Sequence, residues 1–497
     1  MKKTLWMIGL AALVACGGGD KDDSSNTGDS GTTTTVPDAW NTTATFSEVV
    51  ETVLTVSFET PETGTALVEY GLDGAFDLST PETTTSGNSH SVTLLGLKAT
   101  GTYSYRPVLI TDSGDRIEGT AAEVSVAPPP QGLPDLSVDV LDASKIEAGG
   151  GFTLLGFIGA DTTWVAIIDR DGDYVWWHAD EPEWSIGRPR LSRDGKSVLF
   201  NYADAVTRID DVAGLTRVSL DGTEFVDTRT LLAHHDFVEL PDGDYAWPAF
   251  DLRDAVEVTG YGELPLATDF IYEGAPDMAD PDNPTEVFGF IDDFPADPFW
   301  TCSHMQVDSF VPGYYEWSHV NSISYVDSED SYYLMTRWMD GLHKIDRATG
   351  QQVWQMNGMH GDFTIDGSTN PWRDVGDSDL WSHGHMSHMW ADGFIMFDNG
   401  DHRSVESSRV VEYAFDEDAM TVEEVWSYEH PTGGFSLLLG DARKLPSGNV
   451  MLAWSGLGNL VEVTPDKEVV WSVQTGLGTV ISRVIFIDDI YAPTVRP

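Results

Sequence analysis

The sequence predicts an all-β protein in which a small β-sandwich precedes a six-bladed β-propeller. Three observations carry this. A four-strand unit recurs along the chain, its strands are short and bounded by turn residues, and one strand of most units ends on an aromatic residue.

The 497 residues are enough for two domains or more. With 81 acidic against 27 basic side chains the formal charge is -54, which excludes a polyphosphate partner held on an extended basic face; no nucleic acid is expected. The excess acid reads as solubility.

Residues 1–15, MKKTLWMIGLAALVA, have the build of a secretion signal. Lys2 and Lys3 precede an apolar run, Leu5 to Val14, too short to span a bilayer as a mature helix. The run ends in LVAC, which resembles the bacterial lipobox and implies cleavage before Cys16 and lipid attachment to its sulfur. The expected location is the cell envelope, lipid-anchored at the outer membrane, with contact to the bilayer through the anchor alone. Acylation of Cys16 leaves only Cys302, so no intramolecular disulfide can form. Residues 16–40 are rich in Gly, Ser, Thr and Asp and read as a flexible tether.

Residues 41–127 alternate as short strands: ETVLTVSFET, TALVEYGL, HSVTLLGL and GTYSYRPVLITD. HSVTLLGLKATGTYSYRPV resembles the corner of a fibronectin type III-like sandwich, where a leucine and a tyrosine pair. Residues 128–136 form a proline-rich linker. From 137 to 497 the repeat takes over. Half of the unit is a glycine turn between two strands, as in ELPDGDYAW, HMWADGFIMF and KLPSGNVMLAW. The other half ends on an aromatic, as in WVAIIDRDGDYVWW, GLHKIDRATGQQVWQM and NLVEVTPDKEVVW. The units recur at roughly 45 to 80 residues, and four-stranded units repeated in a ring are propeller blades. Six are expected, starting near Gly150, Arg188, His234, His319, His385 and Asp441, with RVIFIDDIYA closing the ring.

In a propeller the first strand of each blade lines the central channel. Ten of the 13 histidines fall between His234 and His402. They occupy what reads as one place in three consecutive units: His234 and His235, then His319, then His385 in WSHGHMSHMWADGFIMFDNG. Arg337, at the end of a following strand, would return to the same mouth. Such a cluster can serve blade-to-blade hydrogen bonding alone. It can hold a metal, with His383, His385 and His388 as an HxHxxH run and Asp398 or Asp236 as carboxylate. It can also carry out metal-free group transfer, one imidazole acting as nucleophile while the others and an arginine bind a small oxyanion.

HVNSISY, TRW, KIDRATGQQVWQMNG, FDNG and SRVVEYAFDEDAMTVEEVWSYEHP together resemble the bacterial arylsulfate sulfotransferases, densely from Trp317 to His430. The resemblance implies a six-bladed propeller behind a small β-sandwich. It implies transfer of a sulfuryl group from a phenolic sulfate ester to an acceptor phenol, through a sulfohistidine, with neither a nucleotide donor nor any cofactor. On that basis His385 is the nucleophile, with His319, Arg337 and His235 completing the catalytic set and no metal. Asn321, His234 and His388 are expected to bind substrate, Asn321 because it shares a strand face with His319 and offers an amide donor. Gly384, Met386 and Ser387 depart from the family's usual residues around the nucleophile. Small phenolic molecules are the expected partners, and a homodimer is compatible with the reading. The alternative is a surface-anchored propeller that binds a ligand and does no chemistry.

Overall fold

In the computed structural model the described residues are 33–35, 39–147, 151–158, 163–179, 187–202, 213–294, 296, 311–357, 361–365, 380–402, 406–476 and 478–495. The signal segment, Cys16, most of the tether and Cys302 lie outside them. Among the described residues no helix is long and apolar enough to cross a membrane.

The N-terminal sheet is organised by one long strand, Leu54–Leu72, whose alternating buried and exposed residues give it a single core face. Its first half pairs with Thr43–Phe46 and Gly87–Leu94, and its second half with Leu78–Ser79 and Thr102–Thr111. The register breaks between Glu59 and Gly64. The strand therefore serves both halves of the sheet, and Val56, Phe58, Ala66, Val68 and Tyr105 belong to one core. The corner anticipated from the sequence is present: Leu97 is fully buried, and the Tyr103 hydroxyl accepts a hydrogen bond from the Lys98 backbone amide at 2.9 Å.

Six further sheets, each with four principal strands, form the propeller. Blade one holds Phe152–Ile158, Thr163–Ile168 and Tyr174–Ala179, and its inner position is filled by Val480–Ile487 from the far end of the chain. Blade two opens with Arg190–Leu191, blade three with Val238–Glu239, blade four with Val320–Val326, blade five with Gly384–Trp390 and blade six with Asp441–Lys444. Leu136–Leu141 adds a fifth strand outside blade six, pairing with Val469–Thr475. The ring is thus closed twice, once at the inner layer and once at the outer. The buried faces of successive blades pack on each other, and Trp176, Trp247, Trp354, Trp454 and Trp471 are almost completely enclosed there.

The sandwich is docked on blades one and two. Val50, Val53 and Leu95 join the apolar core of those blades, and Thr52 Oγ1 donates to Val175 O at 2.7 Å. Lys98 Nζ lies 2.7, 2.8 and 2.9 Å from Asp169, Asp171 and Asp173. Burial works against its charge, yet the three carboxylates hold the ammonium above its ordinary range. Among the described residues these aspartates are the only group of three or more metal-ligating side chains close enough together to hold an ion, and Lys98 already stands among them, offsetting one of the three charges.

Candidate active site

Three histidines stand at the entrances to inner strands in left-handed backbone: His235 at φ 58°, His319 at 56° and His383 at 52°. A non-glycine residue in that region costs about 1–2 kcal/mol. Hydrogen bonds hold each bend: Asp236 N to His234 O at 2.7 Å, Arg337 N to His319 O at 2.9 Å, and His383 N to the Asp340 carboxylate. At these three positions the strained backbone aims an imidazole.

One expectation is corrected by this register. His319 immediately precedes Val320–Val326, and His383 immediately precedes Gly384–Trp390. His383 is therefore the blade-five counterpart of His319, whereas His385 corresponds to Asn321, two residues deeper in the channel. The residue before His385 is glycine for a packing reason. A Cβ at Gly384 would lie 2.5 Å from Met396 Cε and 2.9 Å from Trp381 Cδ1.

His385 is buried, and its Nδ1 donates to Gly440 O at 3.1 Å, which leaves Nε2 as the lone-pair nitrogen. Arg188 Nη2 approaches that lone pair at 3.4 Å. Burial first, and then the Arg188 guanidinium, hold His385 well below the usual histidine range, so its ring is neutral at physiological pH. Arg188 is itself completely enclosed; its Nη1 donates to Asn321 O at 2.8 Å and its backbone N–H to Asn201 Oδ1 at 3.1 Å. Burial brings its pKa down to about 9. It remains charged near neutrality, and no carboxylate lies within ion-pair distance of it among the described residues.

The rings of His235 and His319 meet edge to face, with centroids 4.5 Å apart. Each is backed by an acid. His319 Nδ1 lies 3.0 Å from Glu316 Oε2, which also accepts Trp338 Nε1 at 2.8 Å. His235 Nδ1 meets His234 Nδ1 at 2.8 Å, and His234 Nε2 lies 2.8 Å from Asp269 Oδ1. Burial would raise the Asp269 carboxyl, but His234 and the Ser318 hydroxyl outweigh it and keep it ionised. Burial first, and then the neighbouring His319 ring and the Arg188 guanidinium, hold His235 well below its ordinary value; burial lowers His319 against the pull of Glu316. His234 thus reaches Asp269 and His235, a supporting position behind the cluster and not one facing substrate.

Arg337 is aimed by Asp401 Oδ2 at 2.8 Å and Leu437 O at 3.2 Å, both through Nη2. Asp401 also takes His383 Nδ1 at 2.6 Å, and the His383 ring packs edge-on to Trp338. His383 therefore supports the arginine.

Two further expectations change. Asn321 spends its amide on Gly384 O at 2.8 Å, tying blade four to blade five. His388 follows a register break in its strand and lines a cavity at the other end of the channel with Arg190 and Arg443. It does not join the His385 cluster. The three imidazoles of the HxHxxH run consequently meet three different surroundings. Both carboxylates considered as metal partners are held by arginine: Asp398 by Arg409 at 3.0 Å, and Asp236 by Arg483 at 2.9 Å and Arg190 at 3.1 Å.

Sequence reasoning placed His235, His319, His385 and Arg337 and missed Arg188, Glu316, Asp269 and Asp401. A signal for Arg188 existed, since it stands at the start of a repeat unit as the histidines do. The supporting acids carry none, because nothing in their local pattern separates them from the other acidic residues of the chain.

Five buried histidines, His90, His235, His319, His343 and His385, sit below their ordinary pKa, His343 at about 4. The unfolded chain takes up protons near pH 6.5 that the folded chain refuses. Stability is therefore expected to fall as pH drops below about 6.5, by up to about 1.4 kcal/mol per pH unit for each such group. Carboxyls raised by burial, Asp340 most of all, work in the opposite direction, but ordinary carboxyls titrate below pH 5.5, so the histidines dominate between pH 5.5 and 7.5. Calorimetry should give a lower Tm at pH 5.5 than at pH 7.5; an unchanged Tm would contradict the neutral assignment.

A model of the family described as "Arylsulfotransferase (ASST)" matches residues 147–477. No curated protein matches the sequence. Several solved structures are similar at fold level. A protein of unknown function from Bacteroides caccae is 14% identical, covering 67% of this chain and 98% of its own at TM-score 0.37. Dihydro-heme d1 dehydrogenase is 13% identical, covering 73% and 84% at 0.37. Streptogramin B lyase is 10% identical, covering 71% and 98% at 0.35. None of these likenesses bears on the chemistry.

Proposed function

The chain belongs to the arylsulfotransferase family and is an arylsulfate sulfotransferase, and from that premise we propose that His385 carries the sulfuryl group as a sulfohistidine between a phenolic sulfate donor and an acceptor phenol, with no nucleotide donor. The supporting observation is the state of His385: a buried, neutral imidazole whose Nδ1–H is fixed on Gly440 and whose Nε2 lone pair faces a guanidinium.

In the first half-reaction Nε2 attacks sulfur. The N–S bond forms, the S–O ester bond breaks, and the electron pair leaves with the phenolate. His319, neutral in the free enzyme, takes up a proton when the anionic ester binds beside it and, oriented by Glu316, gives that proton to the phenolate. Charge on the sulfuryl oxygens is met by Arg337, held by Asp401, and by Arg188, which turns from the Nε2 lone pair to an oxygen once that lone pair is bonded to sulfur. His234 holds the His235 ring through the contact between their Nδ1 atoms, so that His235 presents Nε2–H to a sulfuryl oxygen. In the second half-reaction an acceptor phenol gives its proton to His319 and its oxygen attacks sulfur. The S–N pair returns to Nε2.

Mixing the protein with a chromogenic aryl sulfate in the absence of acceptor should release a burst of phenol stoichiometric with enzyme; release without a burst would count against the covalent intermediate. Arg337→Ala is expected to slow the burst about 100- to 1000-fold, the range seen when one charge-stabilising donor is removed. A change in KM alone would assign Arg337 to ground-state binding.

The same reading places the enzyme at the outer membrane, tethered through a lipid on Cys16. Cys16→Ser should move it from the membrane fraction to the soluble fraction, and retention at the membrane would overturn the anchor.

A further inference from the structure

The axis of the propeller carries more positive charge than the sulfuryl site requires. Three buried guanidiniums and one half-buried one lie along the inner strands of three blades: Arg188 and the half-buried Arg190 in blade two, Arg443 in blade six and Arg483 in blade one. Two carboxylates lie among them. Asp236 is shared by Arg190 at 3.1 Å and Arg483 at 2.9 Å, and Asp441 stands 3.5 Å from Arg443 Nε and 4.0 Å from Arg483 Nε. The balance is two charges positive in a chain whose overall charge is -54.

Arg188 spends its charge at the His385 end. Arg190 and Arg443 face the opposite mouth, where they line a cavity of about 110 Å³ together with His388, Arg193, Lys444 and Glu239. The cavity has room for a four-oxygen ion. Most charges at its rim are already matched: Lys444 by Glu412, Arg193 by Asp327, and Glu239 by Arg217 at 3.0 Å and by the Arg193 backbone N–H at 2.6 Å. Arg443 is matched only at Nε, which stands 3.5 Å from Asp441; it is 91% buried, and its terminal nitrogens donate to no acceptor among the described residues. Arg190 Nε is likewise buried without a partner. Burial and the crowding of guanidiniums depress the pKa of both, that of Arg190 to about 9. A bound anion would relieve this cost.

We infer that this second cavity, at the mouth remote from His385, binds one free tetrahedral oxyanion, sulfate or phosphate, between Arg443 and Arg190. Nothing in the inference depends on the chemistry at His385.

The probe is selenate, a sulfate analogue with its own X-ray absorption edge, soaked into crystals of the full chain. The anomalous map of the wild-type protein should show a peak beside Arg443 and Arg190, separate from any peak beside Arg337. Arg443→Gln should weaken selenate binding at the remote cavity about tenfold or more while leaving a peak beside Arg337 unchanged. Absence of the remote peak in the wild-type protein overturns the inference, as does undiminished occupancy in Arg443→Gln. Should that variant fail to fold, the wild-type map decides by itself. A peak at the remote cavity without one beside Arg337 would still support this site and would count against the sulfuryl site, so the two readings can fail separately.

Discussion

His385→Ala is expected to lower sulfuryl transfer by about four orders of magnitude or more, the loss typical of removing a nucleophile on which the other groups of a site depend. The loss should fall on kcat and on the burst together, because no covalent intermediate can form. The ring is enclosed and its Nδ1–H satisfies Gly440 O, so some stability will go with it. His385→Asn separates the two effects. It retains a donor for Gly440 O and should recover stability without recovering the burst. A variant lacking His385 that kept full turnover would show that another group accepts the sulfuryl.

Asp236→Asn is expected to cost about 3–5 kcal/mol of stability, the range for removing one partner of a buried ion pair. Its carboxylate has no exposure and is shared by Arg190 and Arg483, and it also accepts the Ile323 backbone N–H at 3.1 Å. Burial would raise such a carboxyl, yet the surrounding guanidiniums drive it far below the ordinary range, so it stays charged throughout the accessible pH range. Neutralising it leaves two cations facing each other from blades one and two, the Arg483 one on the strand that closes blade one. Chemical denaturation should show a lower midpoint at unchanged slope. Pairing the change with Arg483→Met should restore part of the loss, since an unmatched charge leaves with it. An undiminished midpoint in the single variant would show that Asp236 does not hold the inner ring.

Much of this architecture can be read directly from the chain. Glycine turns and aromatic-ended strands recur often enough to count six blades, and the closing strand expected in RVIFIDDIYA is Val480–Ile487, which takes in the first five of those residues. The second closure could not be read, because Leu136–Leu141 is an ordinary alternating segment that finds its partner only after the ring has formed. At the site, histidine enrichment located His235, His319 and His385. Register within the strands was beyond reach. A single residue of left-handed backbone before blades four and five decides that His383 matches His319 and that His385 matches Asn321. The irregular pairing between His385 and His388 turns His388 toward the remote cavity, which spacing alone could not foresee. Arg188 was legible by position but not by role, since its relation to His385 depends on two blades meeting across the axis.

The most direct test is to trap the intermediate. The full-length protein incubated with an aryl sulfate and no acceptor, quenched under mild alkaline conditions and digested, should yield one peptide carrying an acid-labile sulfuryl group on His385, discharged when a phenol is added before the quench. A sulfuryl group on another residue, or none at all during full turnover, would contradict the account.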